Sequence, residues 1–409
     1  MLSTFLDEKA LTNRLTSTYN RLMHDNISYM NELFRIINGA LRLDIDKVRN
    51  YTVFLADKLE NAGEGDAAGR LRKMLEESDH RLRPAEVGMS RALPVDGESR
   101  FPLIERVNLK SQRDAPLVLT EIQWAIVSEF LSIAKSHAQL DVHGVATSLT
   151  LLMCGPPGTG KSRVARHIAQ ELGLELFMAR LDGVISSFLG STAKNIRAIF
   201  DFAAKCPCIL FLDEFDALAK LRGDTQELGE LKRVVNSFIQ NLDTLGTQSI
   251  VIAATNHPEL LDSAIWRRFS YRLDLGYPSP DLRQQMWLQF IEPLCFNSRD
   301  LELLVDLSDG FSGSDIQEVC LRLRRQAITT KQVPKLKDAF HVLQNIGIGE
   351  GQERRFLSTL HGKGLHLSAA TLRQRNPKIY SHSALAHLFG ISKATAHRWA
   401  KEGARDHAG

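Results

Sequence analysis

Leu149-Thr-Leu-Leu-Met-Cys154-Gly155-Pro156-Pro157-Gly158-Thr159-Gly160-Lys161-Ser162 is the stretch that decides the fold. Its first six residues form a continuous apolar run, the pattern of a strand covered on both faces. The next eight match G-x-x-x-x-G-K-[ST] in full, and a helical pattern follows. Glycines let backbone N–H groups turn inward around phosphate oxygens. The helix N-terminus behind them adds partial positive charge. Lys161 is placed to reach the β- and γ-phosphates of a nucleotide, and the Ser162 hydroxyl to hold Mg²⁺.

About fifty residues on comes Cys208-Ile-Leu-Phe-Leu-Asp213-Glu214. Two carboxylates ending a buried apolar strand are costly unless they meet a cation or water. Asp213 suits the Mg²⁺ shell, and Glu214 suits a general base that polarises an attacking water. Ser249 to Ala254 is a third continuous apolar run. Such runs alternating with helices predict an α/β fold built on a parallel sheet.

Together these motifs resemble the AAA family of P-loop ATPases, in its classical branch. Asp213-Glu-Phe-Asp216-Ala-Leu looks like the family's D-E-[IF]-D-A-[LI]. Ile252-Ala-Ala-Thr-Asn256-His-Pro-Glu resembles its sensor-1 strand, which implies that Asn256 lies near the γ-phosphate. Gly310-Phe-Ser-Gly313-Ser314-Asp315 is similar to the lid signature, placing Gly313 and Ser314 beside the nucleotide. The resemblance covers roughly residues 116 to 335 and implies ATP hydrolysis with Mg²⁺.

Leu261-Asp262-Ser-Ala-Ile-Trp-Arg267-Arg268-Phe269 resembles the family's second region of homology. Arg267 and Arg268 match the arginine fingers that the family places across a subunit boundary. They are adjacent here, as in katanin-like and ESCRT-disassembly ATPases, and either suits the main role. The resemblance therefore implies a homo-oligomer, a hexamer. Ser187-Phe188-Leu189-Gly190 sits where the family carries its first pore loop, which makes Phe188 and Leu189 candidates for gripping a protein client. No His precedes a Glu, so H-E-x-x-H and its zinc-protease chemistry are absent.

Outward from this module, residues 1–78 read as an N-terminal helical bundle and 79–115, with Pro84, Pro94 and Pro102, as a linker. The α/β ATPase domain is expected over 116–280 and a helical lid over 281–346. A C-terminal helical unit over 347–409 is expected as a separable appendage. His382 to Trp399 resembles a helix-turn-helix, with Ala386 at the crossing, Gly390 at the turn and Ser392 as N-cap. Lys393, Thr395, His397 and Arg398 are its candidate DNA contacts.

The formal net charge is only +3, yet Gln352 to Gly409 holds ten Lys/Arg against three acids. A basic tail on a mildly acidic body fits an anionic polymer or a solvated helical face. Five cysteines without metal spacing read as free thiols in a reducing cytoplasm. No apolar stretch of about 18 residues occurs, so no membrane span is expected. The primary reading is an ATP-driven motor that remodels a protein client. The alternative is a DNA-associated ATPase recruited through the C-terminal helices.

Overall fold

The computed structural model describes residues 29–41, 44–79, 93–97, 99–109, 116–181, 189–217, 228–245, 249–346, 357, 360 and 364–406. Three helices come first: α1 (Met30–Leu41), α2 (Ile45–Asn61) and α3 (Gly65–Asp79). They pack around Leu55, Leu59 and Ala68. The bundle is fastened to the α/β domain by buried Tyr51, whose hydroxyl donates to the Cys206 carbonyl at 3.1 Å.

The stretch expected as linker supplies β1 (Glu105–Val107). Two helices follow, α4 (Glu121–Lys135) and α5 (His137–Val142), and then the alternating core. That core runs β2 (Leu149–Cys154), α6 (Lys161–Leu172), β3 (Glu175–Arg180), α7 (Leu189–Lys205), β4 (Cys208–Asp213), α8 (Leu228–Thr244), β5 (Ile250–Thr255), α9 (Ser263–Trp266) and β6 (Tyr271–Asp274). The six strands order as β1-β3-β4-β5-β2-β6. All neighbours are parallel except β1, the edge strand, which lies antiparallel on β3.

The apolar runs are continuous because successive side chains feed opposite cores. Leu149, Leu151 and Met153 join Val127, Phe130 and Ile168 on one face. Leu152 and Cys154 join Phe177, Leu210 and Phe238 on the other. β2 lies between β5 and β6, parallel to both, and its C-terminal end opens at the carboxyl edge of the parallel strands, where open α/β folds place ligands.

The lid comprises α10 (Pro280–Phe290), α11 (Ser298–Leu307), α12 (Gly313–Thr330) and α13 (Leu336–Ile346). Ser279, Asn297 and Ser312 cap the first three through backbone N–H groups of the first turn. The C-terminal unit adds α14 (Leu365–Arg375), α15 (His382–Phe389) and α16 (Lys393–Asp406). Gly390, in the left-handed region at φ 66°, ends α15 and permits the short turn into α16.

The expected separation of this last unit from the lid does not hold. Leu372, Tyr380, Leu385, Leu388 and Ala396 lie in one buried cluster with the lid's Trp287, Leu304, Phe311 and Phe340. Tyr380 donates to Asp306 at 2.6 Å, and Arg375 bridges Asp306 and Asp309 at 3.1 and 2.9 Å. Charge counting along the chain marks these arginines as basic. Their use as fasteners appears only once α14 lies against the end of α11.

Candidate functional site

The loop after β2 is shaped by what it passes. Gly155 has φ 143°, and a Cβ there would stand 2.1 Å from the Leu275 carbonyl oxygen. Gly158 has φ 79°, and a Cβ there would stand 2.1 Å from Ser314 Oγ and 2.6 Å from Ser312 Oγ. Both positions exclude a side chain by conformation and by space. The Gly158 carbonyl also accepts from the Ser314 amide at 3.0 Å, so the lid rests directly on the loop.

Inside the loop Lys161 is buried, and its ammonium donates to the carbonyls of Gly155 at 2.6 Å and Pro156 at 2.9 Å. It also donates to Asn256 Oδ1 at 2.7 Å, which brings the tip of β5 to the same point. Burial pulls the Lys161 ammonium below its ordinary value, and the charge of Asp213 opposes that. A buried cation held only by neutral oxygens is a receptor for phosphate.

Asp213 and Glu214 leave β4 beside it. Asp213 accepts the Glu214 amide at 2.9 Å. Glu214 has φ 54°, a strained conformation for a residue that is not glycine. The Phe215 amide pins the far side of the turn to the Ala254 carbonyl at 2.9 Å. The strain is thus held by the neighbouring strand, and the two carboxylates face one cavity. Arg180, at the end of β3, stands 3.6 Å from Glu214.

That cavity measures about 320 Å³. Pro157, Gly158, Thr159, Gly160, Lys161, Ser162, Asp213, Glu214 and Asn256 line its polar end, with Gly313 and Ser314 from the lid. Gly155 and Pro156 contribute as acceptors for Lys161 rather than as lining. The Ser162 hydroxyl and Asp213 carboxylate are hard oxygen donors. They suit a cation that takes few protein ligands and completes its shell with phosphate and water.

The cavity's apolar end was not legible in the sequence. Leu117 and Val118 precede α4, Met286 and Phe290 come from α10, and Arg163 lies one residue past the motif. The Arg163 guanidinium sits 5.6 Å from the Phe290 ring centre and donates to Gln317 on α12. Its proximity to the motif was the sole signal, and its surroundings depend on where the lid sits.

Other expected residues fall elsewhere. Arg267 and Arg268 are exposed beyond α9 and do not line the cavity. Arg268 pairs with Asp243 at 3.2 Å. Phe188 lies outside the described residues; Leu189 opens α7, and its side chain is likewise outside them. Lys393, His397 and Arg398 are exposed on α16, and half-buried Thr395 shares a hydrogen bond with the Ser392 hydroxyl at 2.8 Å.

Residues 151–277 match the family model described as "ATPase family associated with various cellular activities (AAA)". The AAA family ATPase y4kL of Sinorhizobium fredii is 35% identical over 298 residues, covering 71% of this chain and 88% of that protein. Vacuolar protein sorting-associated protein 4 of Dictyostelium discoideum is 37% identical over 172 residues, 41% of this chain. That match spans only 38% of the relative's length. Among solved structures, the FIGL-1 AAA domain in complex with ADP aligns with TM-score 0.47 at 25% identity, over 66% of this chain and 95% of that one.

Proposed function

This chain belongs to the AAA family of ATPases and hydrolyses ATP, and we propose that it works as a ring-shaped motor that remodels protein clients. Lys161 and Asn256 would receive the γ-phosphate, Glu214 would orient the attacking water, and Ser162 with Asp213 would hold Mg²⁺. When bound, the cation neutralises charge on the phosphate oxygens. Gly313, Ser314 and the Arg163 wall close over the base. Arg267 and Arg268 reach the site of the next subunit and meet the charge that develops in hydrolysis.

The observation that carries this reading is the placement of the two arginines. Lys161, Asp213, Glu214 and Asn256 converge on one cavity, while Arg267 and Arg268 face solvent away from it. Among the described residues no ion pair engages Arg267. A hexamer would give each arginine a partner site, and Phe188 and Leu189 would then line a shared channel. No described helix is long and apolar enough to cross a membrane. The five cysteines form no disulfide among the described residues, as a reducing compartment would keep them. The alternative, recruitment to DNA through the C-terminal helices, concerns where the motor works and is compatible with this one.

The test adds a permanently unfolded polypeptide and measures ATP turnover. Wild type should be stimulated and Phe188→Ala should not. Equal stimulation of both, or none in a wild type shown to assemble, contradicts the remodelling reading.

A further inference from the structure

The C-terminal unit spends some of its basic residues on the fold and leaves others unspent. Arg375 is tied to Asp306 and Asp309, and Arg373 donates to the carbonyls of Pro377 and Tyr380. His387 sits 3.1 Å from Asp300 of the lid. Lys393, His397, Arg398 and Lys401 on α16 are exposed instead. Among the described residues no ion pair engages Lys393, Arg398 or Lys401.

These positions form a pattern. At 3.6 residues per turn, Lys393, His397, Lys401, Ala394 and Arg398 follow one another around an arc of about 140°. Ala394, between Lys401 and Arg398, adds no bulk. The opposite face is apolar or inward-turned: Ala396 is buried, and Trp399 and Ala400 pack on the shared core. Glu402 borders the arc, and it is the one exposed acid among residues 393–402.

The face has two further supports. His382 stands beside His397, with ring centres 4.6 Å apart. Burial holds the His382 ring below its ordinary value, and the charges of Arg373, His397 and Lys393 push it the same way, as expected where the local potential is positive. The helix is also rigidly presented. Its unit is fastened to the lid through Tyr380, Arg375 and the Phe340–Phe389 ring contact, and binding faces on rigid elements hold their geometry best.

We propose that the exposed arc of α16, formed by Lys393, Ala394, His397, Arg398 and Lys401, is a docking surface for duplex DNA, bound mainly through its phosphates. A helix with one cationic face fits the major groove, which is about 12 Å wide, and its lysines and arginine can reach the flanking phosphates. Phosphate contacts position a protein without reading sequence, so low sequence preference is expected. This docking does not depend on ring assembly or on hydrolysis.

The experiment measures binding of the full chain to a 20-base-pair DNA duplex by fluorescence anisotropy at several salt concentrations. Three permanent cations give a slope of log affinity against log salt of about −2.7 per engaged copy, or about a 40-fold loss between 50 and 200 mM. Lys393→Ala with Arg398→Ala should reduce that slope by about two units. Arg322→Ala with Arg325→Ala, an equal charge loss on the lid, should leave it unchanged. Alanine is the best helix former, so both doubles should keep their far-UV circular dichroism. Lys401→Glu, a single exposed change, should independently lower the slope by at least about one unit. No duplex binding at 50 mM salt overturns the proposal. So does equal weakening by the two doubles, or tighter binding of an RNA duplex of the same sequence.

Discussion

Arg375→Ala tests whether the C-terminal helices and the lid are one structural body. The guanidinium meets two carboxylates, with Asp306 mostly covered at 17% side-chain exposure and Asp309 at 42%. The covered charge-assisted bond contributes about 1.5–2 kcal/mol. The more exposed one is screened and adds less than about 1 kcal/mol. Neither carboxylate is left bare by the change. Tyr380 still donates to Asp306, because burial and then the charge of Asp306 push its phenol up and keep it protonated. Arg283 still meets Asp309 at 3.2 Å. The net cost is therefore about 2 kcal/mol, which makes local opening about 30-fold more frequent. Hydrogen exchange read by mass spectrometry resolves where. Peptides from Leu365–Arg375 and from Ser298–Leu307 should both exchange faster, because their apolar side chains share one core. Faster exchange in the C-terminal helices with an unchanged Ser298–Leu307 would mean two separable units and refute the reasoning.

Two further outcomes follow from the site. Gly158→Ala should weaken nucleotide binding at least tenfold by isothermal titration, since a Cβ at φ 79° costs about 1–2 kcal/mol even before it displaces Ser312 and Ser314; affinity within twofold of wild type would show that the lid does not rest on the loop in solution. Glu214→Gln should retain ATP binding and lose turnover by at least about 100-fold, the lower range for a positioned base, and phosphate release near the wild-type rate would remove Glu214 from its role.

The sequence revealed what is local. Gly155 to Ser162 and Cys208 to Glu214 are contiguous, and the chemistry of each residue is fixed by its immediate neighbours. The three apolar runs implied a sheet covered on both faces, and β2, β4 and β5 are such strands. What escaped depends on distant segments meeting. The Lys161–Asn256 bond joins residues 95 apart and was foreshadowed only by the family resemblance, while Arg163 gains its meaning from Phe290 and Gln317 on the lid. The polar run before the core hid β1, because a three-residue edge strand carries almost no pattern. The C-terminal helices were expected as a separable appendage because the residues that join them to the lid, Tyr380 and Leu388 among them, are scattered along the chain. Thr395, a DNA-contact candidate by its position, is half-buried and shares its hydroxyl with Ser392 Oγ.

The shared active site is tested most directly by mixing two inactive proteins. Arg267→Ala with Arg268→Ala removes the donated charge and keeps Glu214. Glu214→Gln removes the base and keeps the arginines. Alone, the arginine double should turn over ATP at least about 1,000-fold more slowly than wild type if the arginines act as fingers, and Glu214→Gln at least about 100-fold more slowly. In mixed rings an intact Glu214 meets intact arginines at some boundaries, so phosphate release should rise well above either parent and peak near equal proportions. Mixtures that co-assemble by native mass spectrometry yet never exceed the more active parent would contradict the account.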